Sequence, residues 1–197
     1  ECAPLLAYAP WDVTKSGSCG RLVDRMEMRI DSVDPEKVAG ELWVKGENVM
    51  LGYYNNEEAT KEVMREDGWM NTGDLCNMDS DGFIFIRGRS KTMILGPSGQ
   101  NIYPEEIEQV INNIDYVIES LVVEDNGKLI ALIYPDFEAA KAKGLEGEAF
   151  AKAMKEMVLA KNQELPAYSK VADIRLRDQE FEKTPKHSIK RFLYQGQ

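Results

Sequence analysis

The chain is 197 residues long, 43% hydrophobic and 29% charged, with a formal net charge of −10. That length is enough for one or two globular cores, and the mixture of apolar and charged residues excludes wholesale disorder. The acidic balance argues against nucleic acid as a partner, and no apolar run approaches the ~20 residues of a membrane-spanning helix.

A local basic patch can still hold a phosphate in an acidic chain. Cys2, Cys19 and Cys76 lie far apart without CxxC spacing, the pattern of reduced thiols in a cytoplasmic protein. The single His187 cannot anchor a multi-histidine metal site. The chain opens at Glu1-Cys2-Ala3-Pro4 without an initiator methionine, which reads as a processed chain or a piece of a longer one.

Taken in order, residues 1–87 are strand-rich. Short apolar alternations at residues 21–23, 26–30 and 41–45 are punctuated by Gly17, Gly20, Asp34-Pro35, Gly40 and Gly46. That spacing predicts a small barrel or folded sheet. The run Gly40-Glu41-Leu42-Trp43-Val44-Lys45-Gly46 reads as one of its strands, with no chemistry of its own. Residues 56–65 read as a short helix capped by Asn56, with Glu57 and Glu58 in the first turn and Val63 and Met64 inward. Asp67-Gly68-Trp69 makes a turn, and Thr72-Gly73-Asp74 follows it. Asn77-Met78-Asp79-Ser80-Asp81-Gly82 imitates the start of a calcium loop, but its last ligand position is Gly88, so it reads as a β-turn feeding the strand at 83–87.

Residues 90–197 read as a separate α+β unit. A helix from Pro104 sets Ile107, Val110, Ile111 and Ile114 on one face. Strands at 121–124 and 128–134 are joined through Asn126-Gly127, a strong hairpin signal. A second helix over 148–162 turns Phe150, Met154, Met157 and Val158 inward, a strand covers 171–177, and a last helical turn falls within 188–194.

The stretch that carries most information is Gly88-Arg89-Ser90-Lys91-Thr92-Met93-Ile94-Leu95-Gly96-Pro97-Ser98-Gly99-Gln100-Asn101-Ile102-Tyr103-Pro104-Glu105-Glu106-Ile107-Glu108. Physically it is a basic corner, a short strand, a glycine loop and a helix start, with Pro104 suited to the first helical position and the glutamates to the positive end of the helix dipole. Read blandly, it is a linker between two domains. It also resembles the hinge motif of the adenylate-forming superfamily: acyl-CoA synthetases, adenylation domains of peptide synthetases and firefly-type luciferases.

Three further motifs lie in the order that family requires. Gly40-Glu41-Leu42 continuing to Gly52-Tyr53 resembles its Gly-Glu-Leu…Gly-Tyr motif. Trp69-Met70-Asn71-Thr72-Gly73-Asp74-Leu75 resembles its Thr-Gly-Asp-Leu motif. Lys183-Thr184-Pro185-Lys186-His187-Ser188-Ile189-Lys190-Arg191 resembles its last, lysine-bearing motif. The endings look most like those of bacterial long-chain fatty acid–CoA ligases.

The resemblance implies an α+β fold: a strand-rich, small barrel-like part over residues 1–88 that closes a large N-terminal adenylation domain, then a compact, mobile α+β lid domain over 89–197 with its hinge at Lys91. It implies ATP, Mg²⁺ and CoA as cofactors, with a fatty acid as the carboxylate. Asp74 and Arg89 would hold the ribose of ATP, since an ionised carboxylate is a strong acceptor for hydroxyl donors. Asp74 read by itself is a turn residue bonding its own backbone. Glu1 would help hold Mg²⁺, and Ser98, Gly99 and Gln100 would face CoA.

The last motif departs from the family. Ser188 stands where the catalytic lysine is expected and cannot supply the cation. Lys186, two residues earlier, is the nearer replacement and Lys190, two residues later, the other. The implied activity is that of an ATP-dependent fatty acid–CoA ligase, with this piece by itself folded but inactive. A peripheral membrane contact stays open. Two rival readings remain: a peptide-synthetase-type adenylation domain that delivers to a carrier protein, and a lid-like docking module without catalysis.

Overall fold

The computed structural model describes residues 1–195. The chain divides into two compact units, Glu1–Thr92 and Met93–Gln197.

The first unit opens with a two-stranded antiparallel ribbon, β1 (Ala7–Tyr8) with β2 (Arg21–Leu22). Its main body is a four-stranded antiparallel sheet in the order β3 (Met26–Asp31), β4 (Gly40–Gly46), β5 (Met70–Met78), β6 (Ile84–Arg89). Of the two forms the strand spacing allowed, a small barrel or a folded sheet, the sheet is the one that forms. β3 and β6 do not pair with each other, so the sheet stays open, and the outer side of β6 takes two backbone bonds at Ile84 from the Cys19–Gly20 segment. β3 alternates half-buried and exposed residues along its length, the pattern of an edge strand with one wet face. Leu42, Val44, Met70, Cys76 and Ile84 form the buried cluster on the covered face. Gly40 is needed at its place because a Cβ there would lie 2.2 Å from the carbonyl oxygen of Asp31.

Helix α1 (Glu57–Val63) connects β4 to β5 and is capped by Asn56, whose side chain accepts from the Ala59 amide at 3.0 Å. The calcium-loop imitation is a β-turn: Asp79 Oδ1 accepts from the amides of Asp81 and Phe83, both at 3.0 Å, and feeds the chain into β6.

The second unit starts with a small ribbon, β7 (Ile94–Leu95) and β8 (Asn101–Ile102). Helix α2 (Pro104–Ile111) buries Ile107 and Ile111. It stops before the buried Ile114, which packs on the same core from beyond the helix end. The central sheet has the order β11-β10-β9, with β9 (Val117–Asp125) and β10 (Lys128–Pro135) antiparallel and β11 (Asp173–Leu176) parallel to β10. Asn126 and Gly127 both take positive φ, 52° and 74°, as a tight primed hairpin turn requires.

Both faces of this sheet are covered, which is why β10 reads as an unbroken apolar run. Val122, Leu129, Ala131 and Ile133 point to one face, where they meet α2 and α4 (Gly147–Lys161) through Phe150, Met154 and Val158. Fully burying a side chain such as Phe150 contributes roughly 1.5–3 kcal/mol. Leu121, Val123, Ile130 and Leu132 point to the other face, where Phe181 and Tyr194 of the C-terminal segment cover them. A further short helix, α3 (Phe137–Ala142), follows β10, capped by Asp136. The final helical turn is narrower than expected, a 3-10 turn at Arg191–Leu193.

Candidate functional site

In the first unit the site is built by a defect in the sheet. Trp43 pairs with Asn71 and Glu41 with Leu75, so two steps along β4 face four along β5. The surplus bulges out at Thr72-Gly73-Asp74. Bulges re-aim side chains in this way beside functional sites. Gly73 sits at φ +73°, a conformation glycine adopts without a Cβ penalty. Thr72 Oγ1 donates to the Leu42 carbonyl at 3.1 Å and accepts from the Asp74 amide at 3.1 Å, which fixes the bulge.

The bulge brings Asp74 opposite Arg89 of β6. Arg89 Nη1 donates to Asp74 Oδ1 at 2.6 Å and to the Thr72 carbonyl at 3.0 Å. Arg89 lines a cleft of about 310 Å³ together with Glu1, Glu41, Tyr53, Thr72 and Lys91. Glu1 Oε1 accepts from the Tyr53 hydroxyl at 2.7 Å. That hydrogen bond, then burial and the Glu1 charge, holds the Tyr53 phenol above its usual pKa. Glu41 accepts from Ser90 Oγ at 2.6 Å and from Asn71 Nδ2 at 2.8 Å. The cleft thus gathers Glu1, Arg89 and Lys91 from distant parts of the sequence, with Asp74 bonded to Arg89. Tyr53, Thr72, Ser90 and Glu41 belong to it as well. The sequence reading quoted their motifs but gave these four no role.

Cys76 lies on the buried face of the same sheet, and burial first, then the Asp74 charge, pushes its thiol up to about 12. It is an inert packing residue. All three cysteines are free thiols.

The second unit carries the remaining predicted residues in two places. Gly96 and Gln100 close a tight loop, with the Gly96 amide donating to the Gln100 carbonyl at 2.8 Å and the Gly99 amide to the Gly96 carbonyl at 2.9 Å. Ser98, Gly99 and Gln100 are exposed on it. At the other end of the unit, Lys183 and Ile189 pair as an isolated bridge that closes a small hairpin. The His187 amide donates to the Thr184 carbonyl at 2.9 Å, which places Pro185 and Lys186 at the tip. Lys186 and Ser188 are exposed. Lys183 pairs with Glu119 at 2.7 Å and Lys190 with Glu182 at 3.2 Å.

The base of that hairpin is anchored by a buried ion pair. Arg191 Nη1 donates to Glu108 Oε1 at 2.9 Å, and Arg191 Nη2 bonds Glu108 Oε2. The Val122 amide adds a 2.7 Å bond to Glu108 Oε1. Burial pushes the Glu108 carboxyl up to about 7, with Arg191 and the Val122 amide acting against it. Among the described residues, no three His, Cys, Asp or Glu side chains gather as a metal site. No helix among them is long and apolar enough to cross a membrane.

An antiparallel sheet followed by a sheet-and-helix unit is the fold shared with the C-terminal part of adenylate-forming enzymes. The AMP-binding enzyme C-terminal domain model matches residues 91–195, and the chain belongs to that family.

The chain is 45% identical over 128 residues to the long-chain-fatty-acid–CoA ligase of Yersinia pestis, covering 62% of this chain and 22% of that one. The enzyme of the same name from Salmonella typhimurium is 48% identical over 116 residues, covering 56% and 20%. The chain therefore spans about a fifth of the length of these curated relatives.

Among solved structures, O-succinylbenzoate coenzyme A synthetase (MenE) from Bacillus subtilis in complex with AMP has a TM-score of 0.73 at 27% identity, covering 91% of this chain and 35% of its own. The same enzyme in complex with ATP and magnesium ion has a TM-score of 0.69 at 29% identity, covering 90% and 35%.

Proposed function

We propose that the chain is the C-terminal part of an ATP-dependent carboxylate–CoA ligase acting on a long-chain fatty acid. The observation that carries this reading is the Asp74–Arg89 pair, set by a glycine bulge on a cleft that also holds Glu1. A vicinal diol donates hydroxyls to a carboxylate and accepts from a guanidinium, so an adjacent acid and arginine suit a ribose. CoA rather than a carrier protein as acceptor is supported by relatives named as CoA ligases. A cytoplasmic location is supported by the three free thiols. A water-poor substrate such as a long acyl chain makes brief peripheral contact with a bilayer a natural part of the reading.

In the first half-reaction the fatty acid carboxylate attacks the α-phosphate of ATP, giving acyl-adenylate and pyrophosphate. In the second, CoA thiolate attacks the acyl carbon and AMP leaves. Asp74 and Arg89 orient the nucleotide. Glu1, fixed by Tyr53, fits as a single carboxylate ligand for Mg²⁺, an ion that takes most of its other ligands from phosphate and water. Lys186 supplies the positive charge for the adenylation transition state, because Lys183 and Lys190 are each paired to a glutamate while Lys186 stands exposed at the hairpin tip. Ser98, Gly99 and Gln100 face CoA in the second step, after rotation about Lys91.

The full-length protein should support fatty-acid-dependent ATP–pyrophosphate exchange and CoA-dependent release of AMP. Lys186→Ala should slow adenylation by about 10²–10³-fold, mainly in kcat. Absence of exchange with every long-chain fatty acid tried would overturn the substrate and the reaction together. Full exchange in Lys186→Ala would remove Lys186 from the site.

A further inference from the structure

Glu41 has no role in the reaction as described, yet it makes two of the short hydrogen bonds in the cleft. Its Oε1 accepts from Ser90 Oγ at 2.6 Å and its Oε2 from Asn71 Nδ2 at 2.8 Å. Asn71 in turn accepts the Gly73 amide at 2.8 Å through Oδ1. The Ser90 amide donates to the Gly73 carbonyl at 2.9 Å. The residue before Lys91 is therefore tied by side chain and backbone to the bulge that presents Asp74. A carboxylate with both oxygens accepting is held in one geometry, and hydrogen bonds to an ionised group are stronger than neutral ones.

We propose that Glu41 is a positioning residue that pins Ser90 to the Asn71–Gly73 segment and so fixes the point at which the chain becomes free to rotate, Lys91 rather than Arg89. The proposal rests on the hinge reading given above. Its function is to keep Arg89 and Asp74 in place while everything beyond Ser90 turns. Without it the swivel spreads back into Arg89, the ribose contact loosens during rotation, and the second half-reaction suffers more than the first. Glu41 touches no reacting atom and acts through Ser90 and Asn71.

The chain carries a built-in probe. Trypsin cuts after Arg89 and after Lys91, one on each side of Ser90. In the full-length wild-type protein, brief digestion should nick after Lys91 and spare the bond after Arg89. Glu41→Ala and Ser90→Ala should each raise cutting after Arg89 by about tenfold, the loss of one charge-assisted hydrogen bond. Their double variant should be no worse than Glu41→Ala, since Ser90→Ala removes a contact that Glu41→Ala already lacks. Glu41→Gln, which keeps an acceptor for Ser90 but loses the charge and the acceptor for Asn71, should fall between wild type and Glu41→Ala.

In stopped assays of the separated half-reactions, Glu41→Ala should slow thioester formation from preformed acyl-adenylate about tenfold more than it slows adenylation. Unchanged cutting after Arg89 in Glu41→Ala, or additive effects in the double variant, would overturn the proposal. Equal loss in both half-reactions would also overturn it and assign Glu41 to stability alone. If the digestion pattern shifts as expected while no acyl-adenylate forms even in wild type, Glu41 keeps its role and the ligase reading falls.

Discussion

The protein contains two arginine–carboxylate pairs of opposite character. Arg89 and Asp74 meet through one guanidinium nitrogen and remain 57% and 28% exposed. Arg191 and Glu108 meet through two nitrogens and are 21% and 10% exposed, and the Val122 amide donates to Glu108 as well. Exposed pairs contribute little to stability, whereas breaking a buried one strands a charge in a poorly solvated place. The first pair stays accessible beside the cleft that Arg89 lines. The second holds the C-terminal segment to α2 and is largely shut away from solvent.

The sharpest way to break this contrast is to remove one partner of the buried pair. Glu108→Ala should destabilise the second unit by about 3–5 kcal/mol, read as a lowered denaturant midpoint, because Arg191 loses its two-nitrogen partner and the Val122 amide its acceptor, leaving Arg191 with the longer Glu105 contact at 3.4 Å. A loss below about 1 kcal/mol would place this pair in the same class as the exposed one.

Asp74→Ala should reverse the pattern, with function lost and fold kept. In the full-length enzyme it should cost ten- to a hundredfold in ATP use during adenylation, from a hydrogen-bond contribution of about 1.5–3 kcal/mol. Unchanged adenylation kinetics would return Asp74 to the status of a turn residue.

Titration separates the pairs further. Folding raises the Glu108 carboxyl from 4.5 to about 7. Between those values the folded state binds more protons than the unfolded one, so this group's contribution to stability falls as pH rises and levels off above about 7. Midpoints at pH 5 and pH 7.5 should show that loss, at most about 1.4 kcal/mol per pH unit. Glu108→Gln should flatten it. A stability that rises over this window and keeps rising in Glu108→Gln would place the titrating group elsewhere.

The smallest effect belongs to Arg89→Leu, which should change the stability of the first unit by less than about 1 kcal/mol. A larger shift would make the exposed pair structural.

Much of this was legible from local patterns. Asn126-Gly127 announced a hairpin because only a few residues tolerate positive φ twice in succession, and both do so here. Asn56 announced its helix, and the apolar spacing after Pro104 announced its buried face. Asp74 and Arg89 were legible as motif residues, but their contact was not. It depends on a four-against-two bulge that no period in the sequence encodes. Barrel and folded sheet both stayed open in the sequence because strand spacing does not say whether the first and last strands meet. Helix α3 was missed although Asp136 is a sound cap, since six residues are too few to display a period. The Glu108–Arg191 pair joins residues far apart in the chain, and the hydrogen bond from Ser90 to Glu41 does the same; only folding reveals such partners.

The parallel pairing of β11 with β10 has a consequence for biosynthesis. The hairpin of β9 and β10 is local and closes within microseconds. β11 can join only after the intervening stretch with α3 and α4 has emerged and folded back, a closure whose entropy cost precedes its reward. Until then one side of β10 presents the unpaired backbone of Ile130, Ala131, Leu132 and Ile133. An apolar strand with a bare side is a template for any other extended segment. A nascent chain stalled before Asp173 would therefore be prone to aggregate through that strand.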